Sequence, residues 1–292
     1  MSTRGCPHRC AYCNNTRYLA MFGNSPIRFR SPRLVIDELE ASLGILDFFH
    51  WVGFGDDDFL ARPLEEIEIL AREYKKRIDL PFFITSSATS YQEKKVQVLL
   101  DSGLKIFQLG VQSGSQRVVS EVFQRRVSVK KTKEVARKLI AKGDEYGLLL
   151  LIDFIIDNPY EREGDIKQTV DYLADLPPRS WRVNFFTLTF LPGTPLYDKA
   201  LADGYIEAFS TETFRSYGGR LRYQRNYLSW LLYFIALLQR SYILGRLPRR
   251  SLSILSSRPI RSLMSLLPPF FWVFLTKWTA LAARKLRKGH RG

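Results

Sequence analysis

The chain has 292 residues, 46% of them hydrophobic, a formal net charge of +15 and three cysteines. That composition belongs to a folded protein of one large domain or two ordinary ones; it excludes a disordered chain, a wholly membrane-embedded one and a disulfide scaffold. Sixteen of the 44 Lys and Arg lie from Thr213 onward, where there is no Asp or Glu, and the remaining 28 face all 29 acidic residues. The first 212 residues therefore read as a charge-balanced, enzyme-like unit and not as a nucleic-acid-coating surface.

In chain order, the three cysteines come first, in GCPHRCAYCNN at residues 5–15. An odd, tightly spaced set is a poor disulfide framework, and free thiolates suit a reducing cytoplasm, the expected location. The motif starts so close to Met1 that it leaves no room for the strand from which such a loop normally hangs, so the sequence is expected to be truncated at its N-terminus. Residues 32–46 then carry apolar side chains at helical spacing, and 48–54 form an aromatic, strand-favouring run. A charged amphipathic helix is predicted over 62–78, a short buried strand over 81–85, and a helix over 91–102 that Gly103 stops. A strand over 104–111, a long helix over 128–146 and a continuous apolar strand over 148–156 follow. A helix over 165–176 runs up to Pro177-Pro178, and a last strand covers 181–190.

Five strands separated by helices predict an α/β fold with a parallel sheet, either a barrel, whole or partial, or an open doubly wound sheet. Asp56, Asp57 and Asp58, then Ser113 and Ser115, then Asp157 and Asn158, then Gly193 and Thr194 each fall just past a strand, the edge where parallel α/β folds bind ligands. The same residue types are also ordinary loop formers. The tail differs in kind. Its apolar runs, 227–238 and 263–275, the second broken by Pro268-Pro269, fall short of the roughly 18–20 residues a membrane span needs, and a basic helix-like end covers 276–288. Two readings fit it: a helix lying in the interface of an anionic membrane, or a helical subdomain packed on the barrel with its cations in water.

Three thiolates on one short loop suit zinc or an iron–sulfur cluster, and zinc would want a fourth ligand such as His8 or His50. The spacing of Cys6, Cys10 and Cys13, with the aromatic Tyr12 before the last, resembles the signature of the radical S-adenosylmethionine superfamily. FGDDDF at 54–59, GVQSGS at 110–115, DFIIDNPYE at 153–161 and LPGTPLY at 191–197 resemble, in order, further motifs of its cobalamin-associated branch.

The resemblance implies a partial (β/α)6 TIM-like barrel over residues 1–205, lacking its first strand, and a basic, apolar helical region over 206–292. It implies a 4Fe–4S cluster held by Cys6, Cys10 and Cys13, with one iron left open for S-adenosylmethionine. Tyr12, Asp56, Asp57, Gln112, Ser113, Ser115 and Ile155 are the implied contacts to that nucleoside, with Gln112 and Asp157 departing from the usual Glu and Gly. Reduced by an external donor of flavodoxin or ferredoxin type, such a cluster cleaves the nucleoside and yields a 5′-deoxyadenosyl radical. The expected function is a methyltransferase or cyclase acting on a small molecule or lipid. Its cobalamin would be carried by a domain outside this chain, and the tail would associate peripherally with the inner face of the membrane. The alternatives are a tRNA-modifying enzyme with an RNA-binding tail, a non-enzymatic zinc module tethered to a membrane, and an inactive remnant.

Overall fold

The computed structural model describes residues 1–23, 27–46, 48–208, 221–240 and 249–288. Its centre is a parallel sheet of β3 (Val52–Phe54), β4 (Phe82–Ser87), β5 (Leu104–Gln112), β6 (Leu149–Ile156) and β7 (Trp181–Thr187), hydrogen-bonded in that order. Helices α2 (Pro32–Ile45), α3 (Leu64–Arg77), α4 (Glu93–Asp101), α5 (Val129–Tyr146) and α6 (Glu163–Ala174) alternate with the strands. The sheet is the partial barrel expected, with every strand next to its sequence neighbour. Strand 48–54 is shorter than expected because Phe48, Phe49 and Trp51 are exposed, and pairing begins only at Val52.

The two faces of the sheet differ in character. Ile84, Phe107, Leu109, Leu150, Ile152, Phe154 and Val183 are buried under the helices. On the opposite face Thr85, Gln108, Leu151, Ile155 and Asn184 are only half-buried. A polar chain crosses four strands there: Thr85 donates to Gln108 at 3.3 Å, and Gln108 and Asn184 donate to the two oxygens of Asp153 at 2.6 and 3.0 Å. Burial raises the Asp153 carboxyl above the usual carboxylate range, and these two amide donors offset part of that cost.

Local signals set the helix ends. Ser31 and Ser128 accept from Leu34 N–H and Lys131 N–H as N-caps, Pro32 takes the first turn of α2, and Gly147, at φ +65°, ends α5. Each such cap is worth about 1 kcal/mol.

The elements around the cysteines are not among those the sequence predicts. β1 (Thr3–Arg4) pairs antiparallel with β2 (Arg28–Phe29), and α1 (Asn14–Met21) starts directly after Cys13. The N-terminal residues are held by two buried charges. Arg62, fully buried, donates to Ser2 O at 2.8 Å and Arg30 O at 3.0 Å, pairs with Glu66 and lies over the Phe29 ring. The Asp56 carboxylate takes up Ser2 N–H, Ser2 Oγ and Thr3 N–H.

After β7 come α7 (Pro195–Ala202), α8 (Tyr227–Arg240), α9 (Arg249–Leu255), α10 (Arg258–Met264) and α11 (Pro269–Lys288). The apolar run at 227–238 lies within α8; residues 241–248 lie outside the described residues. Tyr227, Leu228, Leu231, Leu232 and Ile235 of α8, with Leu252 and Trp272, join the same apolar core as the sheet. No single helix among the described residues is long and apolar enough to cross a membrane.

Asp157 fastens this region to the barrel. It sits at φ +60°, and its carboxylate accepts Arg222 N–H at 2.7 Å and Tyr223 and Gln224 N–H at 2.8 Å each. The Gln224 side chain adds bonds to Asn158 O and Glu161 O. An aspartate here accepts backbone strain that glycine would avoid, and in return captures three donors. Asp157→Gly is expected to lower stability by about 2 kcal/mol and to raise hydrogen exchange in α8. A variant with unchanged exchange would mean that the packing of α8 alone holds the segment.

Candidate functional site

The cysteine loop lies across the C-terminal edge of the sheet because its own backbone is bonded to the turns there. Ala11 N–H donates to Phe123 O, and Leu196 N–H donates to Ala11 O, both at 2.9 Å. Phe123 ends the turn of π-helix that follows β5, and Leu196 opens α7 after β7. Thr194 caps α7, and Arg17, from α1, donates to Pro192 O at 2.7 Å. Gly193 is required at this turn: it has φ +81°, and a Cβ there would stand 2.9 Å from the Arg17 side chain.

A third tie runs to β4. His8 Nε2 is 3.0 Å from Thr89 Oγ1 and 3.4 Å from the Asp58 carboxylate. Asp58 is buried and also accepts from Ser86, from Ser87 N–H at 3.1 Å and from Ser90 at 2.7 Å. Burial opposes its ionisation, but the bonds from His8 and the serines outweigh this and hold the carboxyl below its usual range. Asp58 lies at the strand edge expected for it, and the sequence assigns it no role there. Its function in holding His8 shows only when β4 lies beside the loop.

Burial raises the pKa of all three thiols, with Cys6 pushed up to about 12. Cys6 and Cys13 are half-buried and Cys10 is buried. The Tyr12 hydroxyl bonds to the Cys10 sulfur, and its ring meets Phe123 edge-on at 4.9 Å.

Arg125 was not anticipated. It is buried beside Cys10 and donates to Gly110 O at 2.7 Å, Val111 O at 3.3 Å and Ser87 Oγ at 3.4 Å, with no ion pair to an acidic side chain among the described residues. A buried cation facing acidic thiols favours their ionised form.

Three free cysteines on one loop are a donor set that an iron–sulfur cluster can take. Among the described residues no three His, Cys, Asp or Glu side chains converge on one point a metal ion could occupy.

The remaining expected residues are divided by the fold. Tyr12 and Ile155 pack against one small apolar cluster with Ala11, Val118, Phe123 and Phe190. Gln112 is half-buried at φ +74°, where the pairing of β5 with β6 shifts register. Ser113 and Ser115 are buried and engaged internally: Ser113 donates to Glu161 at 3.3 Å, and Ser115 to Asp165 at 2.6 Å. Burial, and next the charge of Asp165, push the Glu161 carboxyl up to about 8. Asp56 differs most from its expected role, since its oxygens are committed to Ser2 and Thr3. The exposed carboxylate of that turn is Asp57, which lines a cavity of about 430 Å³ with Met1, Arg4, Gly5, Asn15 and Tyr18.

Raised thiol pKa values predict slow alkylation. In metal-free protein at about pH 7.5, iodoacetamide is expected to modify the three cysteines at least about tenfold more slowly than a free cysteine. The rate should recover on unfolding; equal rates before and after would refute the buried, protonated state.

The family model for the radical SAM superfamily matches residues 1–173. An uncharacterized methyltransferase of Pyrococcus horikoshii is 25% identical over 209 residues, 70% of this chain and 42% of the relative. A tRNA-2-methylthio-N(6)-dimethylallyladenosine synthase of Pectobacterium atrosepticum is 33% identical over 137 residues, 44% of this chain and 26% of that one. The chain thus spans less than half the length of these curated relatives. Among solved structures, TsrM from Kitasatospora setae, a radical S-adenosylmethionine methyltransferase with cobalamin and a 4Fe–4S cluster bound, superposes with a TM-score of 0.55. It is 18% identical, and the match covers 69% of this chain and 36% of TsrM. The fold, the three-cysteine loop across the sheet's C-terminal edge and the matching family model together make this chain a member of the radical SAM superfamily.

Proposed function

We propose that Cys6, Cys10 and Cys13 hold a 4Fe–4S cluster with which the protein cleaves S-adenosylmethionine reductively to generate a 5′-deoxyadenosyl radical. The observation that carries this reading is the three-thiol loop bonded across the ends of β5 and β7, with Arg125 buried beside it. When bound and reduced, the cluster supplies the electron for that cleavage. The chain's own residues bind and orient. Arg125 provides positive charge where three thiolates and a nucleoside carboxylate would otherwise repel. Asp57 offers an exposed carboxylate for the amino group. Tyr12 steadies Cys10 through its hydroxyl, and Gln112 and Ile155 lie at the strand ends where the nucleoside would rest. Ser113 and Ser115 act indirectly, shaping the turn through Glu161 and Asp165.

For the reaction, the methyltransferase relatives support methyl transfer or cyclisation on a small or apolar substrate. The electron would come from an external flavodoxin- or ferredoxin-type donor, and cobalamin from a domain outside this chain. The likeness to a tRNA-modifying synthase favours RNA modification as a second reading. Three cysteines leave none for a second cysteine-ligated cluster within this chain.

The test is anaerobic reconstitution with iron and sulfide, reduction with S-adenosylmethionine present, and chromatography for 5′-deoxyadenosine. Wild type is expected to be coloured and to form deoxyadenosine. Cys6→Ala, Cys10→Ala and Cys13→Ala should each lower product by at least about a thousandfold, to background. Colourless protein that keeps zinc and forms no deoxyadenosine would refute the proposal.

A further inference from the structure

The end of the chain carries an apolar surface that the barrel does not use. α11 buries one face: Trp272 and Thr276 are covered, and Phe271 and Leu275 pack on the core. Its opposite face is also apolar, with Phe270 73%, Phe274 64% and Trp278 60% exposed at four-residue spacing. That spacing keeps them on one stripe. On the other side of the Pro268-Pro269 break, Leu266, 78% exposed, and Leu263 of α10 are likewise open. A helix that packs on a soluble core needs one apolar stripe; a second, contiguous and exposed, marks a contact surface.

We propose that this α10–α11 corner docks on the surface of an anionic lipid bilayer, a reading independent of the proposed radical chemistry. Three observations select that occupant. The two helices meet at 99°, so their axes cannot form one straight span, and neither helix is long and apolar enough to cross alone. Arg258 and Lys277 are exposed alongside the stripe, five further basic residues follow between positions 284 and 291, and no acidic residue occurs from Thr213 onward. An apolar ridge beside cations is the pattern of an interfacial helix drawn to anionic headgroups, with Trp278 suited to the headgroup level.

The same charge argues against the rival occupants. A second copy of the chain would bring another all-cationic tail against this one. Nucleic acid would meet the cations but gain little from Leu263 and Leu266, which offer no stacking face. The corner is rigidly carried: Arg261 of α10 pairs with Glu163, and α11 packs on α8.

The experiment is sedimentation of the full chain with phosphatidylcholine vesicles, either pure or containing about 30% phosphatidylglycerol. The parent is expected to bind the anionic vesicles, with weaker binding as salt rises. The triple variant Leu266→Ser, Phe270→Ser, Phe274→Ser should lose about tenfold or more in partitioning. All three side chains are exposed, so its far-UV spectrum and any nucleoside cleavage should match the parent. Failure of cleavage in both proteins would count against the radical chemistry and leave the membrane result standing. Unchanged binding by the variant, equal binding to pure phosphatidylcholine, or no vesicle binding with self-association or RNA binding that the variant abolishes, would each overturn the proposal.

Discussion

The peptide group of Ala11 is where the site depends most on the fold. Its N–H and C=O reach Phe123 and Leu196, two turns that close different βα units. Three thiols on a loop of eight residues would otherwise sample many arrangements, because the chain between them contains nothing stiff except Pro7. Bonding the middle of the loop on both sides fixes it at the sheet's C-terminal edge. His8 adds a third direction through Asp58, and Arg17 a fourth through Pro192.

Buried charge is arranged with the same economy. Asp56 and Arg62 hold the first residues, Asp58 holds the cysteine loop, and Asp157 holds the segment that enters the helical tail. Each carboxylate is buried and takes several donors, which is the condition under which a buried charge is tolerable. Arg125 is the exception. It has carbonyl and hydroxyl partners only, at the place where thiolates would bring negative charge. Among the described residues Arg125 pairs with no carboxylate, and its charge acts on the Cys10 and Cys13 thiols, as suits a site built around a bound anionic group.

The helical tail is part of the barrel's core on its inner side and chemically distinct on its outer side. α8 packs against β7, and its Leu228, Leu231 and Leu232 join the core under the sheet. The far face of α11 keeps its aromatic residues in the open. By sequence, packed subdomain and interfacial helix are alternatives. The structure supplies the packing that the first requires and an exposed stripe that suits the second, on opposite faces of one helix.

The amino-acid sequence alone determined the order of strands and helices, the parallel class of the sheet and the grouping of Cys6, Cys10 and Cys13 on one short loop. Those features follow from periodicity, from glycine and proline punctuation and from close spacing, all of which are local. Pairing partners far apart in the chain were not legible. Asp56 reads as a candidate ligand in the run Asp56-Asp57-Asp58, yet Ser2 and Thr3, more than fifty positions away, take its oxygens. Arg125 carries no motif of its own, and its place beside the cysteines exists only once β5 and the loop are brought together. Ser113 and Ser115 read as ligand contacts because they follow a strand, while Glu161 and Asp165 on the next unit claim them. A side chain's type and position along the chain fix what it is able to bind. Which group reaches it first is a matter of distance in the folded state, and that only the tertiary structure decided.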